Sequence, residues 1–194
     1  NLYYILKLQA LYIFGDYPGA LVMAKESEKI IETSLAQAQL PEHYFYYALT
    51  LTALYPAATA AEKKGYMKIL KKNCRKLKKW SDHCPDNFLH KYLLVSAEIA
   101  RIQGKDHRAL EFFDRAITSA RENEYTQNEA IAGELLAKFY LQRGQESLAR
   151  AHIMDAYYGF LRWGANAKAN ALEEAYGNLV AKVPVAKGDR DTTT

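Results

Sequence analysis

The sequence is poor in cysteine and contains no long apolar segment. Cys74 and Cys84 are the only cysteines among 194 residues. This excludes a disulfide framework, favours a reducing compartment and predicts a cytoplasmic location. No apolar run approaches the roughly 20 residues of a membrane-spanning helix, and no signal-peptide pattern opens the chain. Because the chain also begins without methionine, we expect it to be a piece of a larger protein.

Motifs for nucleotide, metal and acyl-transfer chemistry are missing as well. The sequence has no GxxxxGK[ST], GxGxxG, HExxH or GxSxG pattern. The two cysteines, with His83 and His90 near them, lack the regular spacing of zinc ligands. We therefore predict that the chain is not an enzyme, with no catalytic residues, no metal and no cofactor.

A strand pattern of period two is also absent, whereas apolar residues recur at helical spacing along most of the chain. Small residues repeat at an interval of forty positions: Ala97, Gly104, Ala109 and Ala116, then Ala137, Gly144, Ala149 and Ala156. Small side chains allow antiparallel helices to approach closely, and glycine permits the left-handed turn that ends a helix. The pattern predicts an all-α array of helical hairpins.

The helical periods and breaks place these hairpins along the chain. We predict one repeat domain over residues 1–181, with antiparallel hairpins at about 2–38, 42–80, 87–123 and 127–162 and a capping helix at 166–180. Residues 81–87, SDHCPDN, are predicted to form a loop, and 182–194 a polar tail. Glu173 and Glu174 give the last helix one polar face, as a terminal cap requires.

Three glycines followed five residues later by alanine carry a family resemblance. Gly15, in a Gly-Asp-Tyr triplet, precedes Ala20, and Gly104 and Gly144 stand in the same relation to Ala109 and Ala149. This arrangement resembles tetratricopeptide repeats, although the period is about forty residues. The resemblance implies a right-handed superhelix whose first helices line an inner, concave surface.

The segment over about residues 112–168 is similar to a more specific group. FFDRAITSARENEYTQNEAIAGELLAKFYLQRGQ, with AYYGFLRWGANAK after it, resembles the helical-repeat region of large multidomain bacterial signalling kinases and regulatory ATPases. The resemblance implies a place in such a protein, and the kinase and ATPase motifs themselves are absent from this sequence.

The repeat register directs a set of mixed polar side chains towards the concave surface. We take them as candidates for binding a peptide or small ligand, the alternative being ordinary solvated helix residues. The candidates are His43, Tyr46, Tyr47, Lys91, Glu98, Arg101, Glu134 and Lys138.

Positive charge is concentrated in one predicted helix. Residues 63–80 contain nine basic residues and no acidic one, which leaves 17 Lys and Arg against 22 Asp and Glu elsewhere. Three interpretations remain open: a solvated face, a docking surface for an acidic domain, or a patch for nucleic acid or anionic lipid. The candidate docking residues are Lys64, Lys68, Lys71, Lys72, Arg75, Lys76, Lys78 and Lys79.

Two functions fit these observations. The first is a non-catalytic interaction and regulatory scaffold, a fragment of a multidomain signal-transduction kinase or ATPase, whose partners are other protein domains of the same parent chain. The second is a repeat domain that senses a peptide or small ligand and regulates an adjacent ATPase. Nucleic acid is a less favoured partner, because the basic arc lacks the interleaved aromatics of a single-strand binder.

Overall fold

Nine helices follow one another in the computed structural model, which describes residues 1–31 and 39–180. They are α1 (Leu2–Ile13), α2 (Tyr17–Ile30), α3 (Leu40–Leu54), α4 (Ala60–His83), α5 (Pro85–Ile102), α6 (Asp106–Glu122), α7 (Thr126–Leu141), α8 (Glu146–Arg162) and α9 (Asn166–Tyr176). A short 3₁₀ segment at Tyr55–Ala57 follows α3. The all-α prediction is confirmed over this part of the chain. The predicted tail at 182–194 and the end of the first predicted hairpin at 32–38 lie outside the described residues.

The helices form a two-layer solenoid of hairpins. Each odd-numbered helix up to α7 packs on the even-numbered helix that follows it, and α9 packs on α8. The odd-numbered helices also contact one another in the order α1, α3, α5 and α7, and so form an inner layer. The even-numbered helices form the outer layer. This arrangement confirms the predicted tetratricopeptide-like solenoid.

Four of the turns between helices use a glycine in the left-handed region. Gly104 and Gly144 both have φ of +70°, which most other residues avoid. Gly144 donates its N–H to Leu141 O at 3.0 Å, and Gln145 donates to Tyr140 O at 3.0 Å, so orphan carbonyls at the end of α7 are satisfied. Glu124 takes this role between α6 and α7, with φ of +63°.

The predicted loop at 81–87 is wrong, because α4 continues to His83 and α5 begins at Pro85. Lys78 and Asp82 form an ion pair one helical turn apart that supports the last turn of α4. Cys84 alone interrupts the two helices, with φ −145° and ψ 79°, and the proline after it disfavours the helical region at this residue. Proline is tolerated in the first turn of a helix, so α5 starts at once.

Small residues allow the hairpins to pack closely. All six alanines of the forty-residue pattern are at most 1% exposed. Across α7 and α8, a Cβ added to Gly159 would lie 2.9 Å from Cβ of Ala130, closer than side chains normally approach. The spacing read from the sequence therefore corresponds to close helix contacts.

The first hairpin reaches towards the far end of the array. Tyr12 and Tyr17, on either side of the α1–α2 turn, line a cavity together with Ile131 of α7 and Leu172 of α9. The inner side of the solenoid is therefore partly closed by its own first turn. None of the described helices is both long and apolar enough to span a bilayer.

Candidate functional site

Buried ion pairs connect the inner helices. Arg101 and Glu98 of α5 form a bidentate pair, with both N–O distances 2.7 Å, and Glu98 is 2% exposed. Arg101 Nη2 also donates to the carbonyl oxygen of Thr52 in α3 at 3.3 Å. Bidentate guanidinium pairs have a fixed geometry, so this contact orients α5 against α3.

A second ion-pair group joins α7 to α9. One carboxylate, Glu134, accepts from Nζ of Lys138 at 2.8 Å and from Nζ of Lys168 at 2.9 Å. Burial alone would raise the pKa of Glu134, but the two lysines outweigh it and lower the pKa below its usual value. Burial lowers the pKa of Lys168 despite the carboxylate. The group therefore contains two cations and one anion in a largely desolvated place.

Lys91 occupies a third polar position inside the array. Its Nζ lies 3.1 Å from the Glu42 carboxylate and 4.9 Å from the ring centre of Tyr125. His90 packs against the same tyrosine, with ring centres 4.3 Å apart and the rings tilted by 30°. Burial, together with the charge of Lys91, lowers the pKa of His90 to about 3. These contacts connect α5 to α3 and to the start of α7.

Three of the predicted concave residues lie on α3 and are packed in the core of the protein. His43, Tyr46 and Tyr47 are each at most 1% exposed. Within the described residues neither ring nitrogen of His43 has a hydrogen-bond partner, and burial lowers its pKa to about 4. Burial likewise raises the pKa of both tyrosines, and Tyr46 accepts a hydrogen bond from Gln9 at 3.2 Å.

The expectation of an open concave surface is thus corrected. Six of the eight predicted candidates are buried: His43, Tyr46, Tyr47, Lys91, Glu98 and Glu134. Arg101 and Lys138 keep partial exposure, with 13% and 31% of their side chains accessible. The inner helices pack so closely on one another that the polar groups lie between them instead of facing solvent. A binding role for these eight residues stays a prediction.

The partly exposed Lys138 lies where two cavities meet. The inner cavity, of about 210 Å³, is lined by residues of α1, α2, α7, α8 and α9. A neighbouring cavity of about 220 Å³ includes Glu98 and Arg101 and shares Tyr17, Leu135 and Lys138 with the first. Tyr12, Tyr17 and Lys168 also line the inner cavity, although the helical pattern does not single them out as site residues. Lys168 had a recognisable signal, because it stands four residues before Leu172 on the apolar stripe of α9.

The predicted docking residues form the basic face of α4, and all eight are exposed. Lys72 pairs with Glu28 of α2 at 2.9 Å, and Lys78 pairs with Asp82. The other six have no carboxylate within 4 Å among the described residues. Asn73 and Leu77, on the opposite side of the helix, are buried. The helix therefore presents a continuous cationic stripe on the outer layer.

An apolar strip on α1 is a further surface. Leu6 and Phe14 are 53% and 60% exposed. The equivalent position in α5, counted back from the turn glycine Gly104, is Val95. Unlike Leu6, Val95 is fully buried. Leu6, Phe14 and Trp163 line a mainly apolar groove of about 380 Å³ between α1 and the α8–α9 turn.

Among residues 1–31 and 39–180, no group of three or more His, Cys, Asp or Glu is placed to hold a metal ion.

Comparison with known proteins agrees with this architecture. The chain matches the family described as CHK1-like, TPR repeats over residues 2–154. It is also 35% identical over 114 residues to Hybrid signal transduction histidine kinase G of Dictyostelium discoideum, a segment that covers 59% of this chain and 3% of that protein. The predicted resemblance to a repeat region of a multidomain signalling kinase is confirmed. No solved structure matches the chain significantly. The chain belongs to the family of CHK1-like tetratricopeptide repeats.

Proposed function

We propose that the chain is a non-catalytic interaction and regulatory scaffold within a multidomain signal-transduction kinase or ATPase. Its partners are other protein domains of the same parent chain. The observation that carries this proposal is the basic face of α4, which lies on the outer layer and is directed away from the packed interior. The family match and the similarity to a histidine kinase support the setting.

The charge pattern favours an acidic partner. Six of the eight cations lack a nearby carboxylate within the described residues, so they repel one another along one helix. A partner with acidic groups relieves this repulsion and is steered towards the face during encounter. Because the residues are exposed, they retain their hydration until a partner arrives, and the contact is expected to weaken with salt.

Charge reversal tests the docking surface. Lys68, Lys71, Arg75 and Lys79 are changed to Glu together, and Lys72 is left intact because it pairs with Glu28. We expect unchanged helical content and loss of association with the flanking domains of the parent protein supplied in trans. Binding is measured by titration calorimetry at low and at physiological ionic strength.

A matched control separates local from overall charge. Reversal of Lys7, Lys25, Lys105 and Arg162, all exposed and outside α4, changes the net charge equally and is expected to preserve association. If the α4 variant binds the flanking domains as well as the original chain at low ionic strength, the basic face is not the contact. If the basic face binds duplex DNA or anionic vesicles and does not bind the flanking protein domains, its partner is nucleic acid or an anionic lipid surface.

A second candidate function is a repeat domain that senses a ligand or peptide and regulates an adjacent ATPase. The inner cavity favours it, because charged and aromatic side chains from both ends of the array line this one cavity. Ligand-dependent thermal unfolding distinguishes this candidate from a scaffold that binds proteins alone.

A further inference from the structure

The inner cavity combines apolar walls with a small set of polar groups. Ile13, Ile131 and Leu172 line one part of it, and three tyrosines, Glu134, Lys138 and Lys168 supply the polar groups. The two lysines and the glutamate are its only charged residues, which gives the described lining a net charge of +1. Apolar walls with a few polar groups at fixed positions are typical of small-molecule sites.

The cations have donor capacity left over. Each ammonium group carries three N–H donors. Within the described residues, the hydrogen bonds of Lys138 Nζ and Lys168 Nζ go to the single carboxylate of Glu134. Lys168 also lies 5.4 Å from the ring centre of Phe160, a contact that uses no carboxylate. A second anion at this point would accept donors that the protein leaves free.

The hydroxyl of Tyr12 provides an independent sign of a ligand. The side chain is 6% exposed, lines the cavity, and its hydroxyl has no hydrogen-bond partner among the described residues. The hydroxyl oxygen is not one of the fully buried side-chain atoms of the described residues that lack a partner, so it is open to the cavity and can donate to a ligand there. Burial, with the nearby charges of Glu98 and Glu134, raises the pKa of Tyr12, so the hydroxyl stays protonated and able to donate.

We propose that the inner cavity binds a small organic monoanion that has one apolar ring. Its carboxylate accepts from Lys138, Lys168 and the Tyr12 hydroxyl, and its ring packs against Ile13 and Leu172. The size is suitable, because an apolar cavity of about 150 Å³ accommodates benzene and this cavity measures about 210 Å³. This inference rests on the second candidate function and is independent of docking through α4.

Such a ligand would connect three helices that are distant in sequence. Its contacts come from α1, α7 and α9, so binding stabilises the approach of the first hairpin to the end of the array. A ligand that binds the folded chain and not the unfolded one raises the unfolding temperature. The same link would allow the ligand to alter how the two ends of the module are presented to neighbouring domains.

The probe is sodium benzoate, with benzamide as a neutral compound of nearly the same shape. We expect benzoate to raise the unfolding temperature of the full chain in a concentration-dependent, saturable manner, and to perturb NMR signals of residues that line the cavity. Benzamide should bind at least tenfold more weakly, since a charge-assisted hydrogen bond is about twice as strong as a neutral one. Equal effects of both compounds, or no effect of benzoate, would overturn the proposal.

Variants locate the site. Lys138→Met removes the ammonium group and should weaken benzoate binding about tenfold or more. Tyr12→Phe removes the hydroxyl and should weaken it less. Lys78→Met removes an exposed lysine of α4 and should leave the affinity unchanged. If Lys138→Met does not fold, Tyr12→Phe still tests the site, because it keeps the aromatic ring that packs in the interior. Benzoate affinities that are equal in the original chain and in both cavity variants would exclude this cavity, whatever the outcome of the docking experiment.

Discussion

The inner helices and the outer face of α4 differ in how positive charge is neutralised. Each cation that lies on the inner side of α5, α7 and α9 is within 3.1 Å of a carboxylate: Lys91, Arg101, Lys138 and Lys168. On the basic face of α4, two of eight cations have such a partner among the described residues. Desolvation makes an unpaired charge costly in the interior, whereas water stabilises it on the surface. The inner charges therefore fix helix positions, and the outer charges remain available to a partner.

Removing the shared carboxylate should break this contrast most strongly. Glu134→Gln leaves Lys138 and Lys168 largely buried with no carboxylate between them, and we expect a loss of about 3–5 kcal/mol in the free energy of unfolding. Urea denaturation measures it. Asp82→Asn, which removes the exposed partner of Lys78, should cost less than about 1 kcal/mol. Equal losses in the two variants would contradict the distinction between the layers.

Acid should destabilise the interior through its histidines. His43 and His90 have pKa values of about 4 and about 3 in the folded chain, below the usual value of about 6.5. At a pH between the unfolded value of about 6.5 and the folded values, the unfolded chain binds more protons than the folded chain. The contribution of these histidines to stability is therefore complete above pH 6.5 and falls as the pH is lowered. Each histidine contributes a slope of about 1.4 kcal/mol per pH unit in that window.

The pH dependence can be assigned with single variants. His43→Leu should reduce the slope between pH 6.5 and pH 4 by about 1.4 kcal/mol per pH unit, because one of the histidines with a lowered pKa is gone, while His90 and His152 keep their contributions. His107→Leu, at an exposed position of α6, serves as the control. An unchanged slope in His43→Leu would show that His43 does not remain neutral in the folded chain.

The same substitution at two helical glycines should have opposite signs. Gly159→Ala places a Cβ 2.9 Å from Ala130, and the overpacking cost of about 1–3 kcal/mol should exceed the gain in helix propensity. An alanine Cβ at Gly65 on α4 has no neighbour within 4 Å, so Gly65→Ala should stabilise the chain by about 0.5–1 kcal/mol. Thermal unfolding compares them. A stabilising Gly159→Ala would mean that α7 and α8 can separate without cost.

The smallest effect is expected at the turn between α6 and α7. Glu124→Gly removes a side-chain strain of about 1–2 kcal/mol at φ +63°. Glycine also makes the unfolded chain more flexible, which costs about 0.4–1 kcal/mol, so stability should rise by about 0.5–1 kcal/mol. Gly144→Ala introduces that strain at the next turn and should lower stability by a similar amount. If Glu124→Gly is destabilising, the glutamate side chain makes a contact that outweighs its backbone strain.

The hairpin turns could be predicted from the sequence, because a backbone position in the left-handed region strongly favours glycine. Gly104 and Gly144 fall where the forty-residue spacing requires a helix to end, and the structure places turns there. The close junction of α4 and α5 was not accessible in this way. The polar residues at 81–87 suggest a loop, and only the combination of the Lys78–Asp82 pair with Pro85 shows that one non-helical residue between the helices is enough.

The burial of the predicted inner residues could not be read from helical periodicity. Periodicity assigns Glu98 and Glu134 to the inner side of their own helices, but the curvature of the array decides whether that side faces water. That curvature is set by the packing between helices, which the pattern of a single helix does not contain. Lys168 was overlooked because a lysine on a terminal helix is usually solvated, although its place on an apolar stripe indicated otherwise.

The approach of the first turn to α7 and α9 has a consequence for folding. In an open solenoid each repeat touches only its neighbours, so its ends unravel first and stability is nearly a sum over repeats. Here Tyr12 and Tyr17 share a cavity with Leu172 from the opposite end of the array. This shared cavity can form only after the intervening hairpins are in place, which slows folding relative to an array of purely local contacts. Because α1 and α9 line the same cavity, loss of α9 should expose Tyr12 and Tyr17 to solvent.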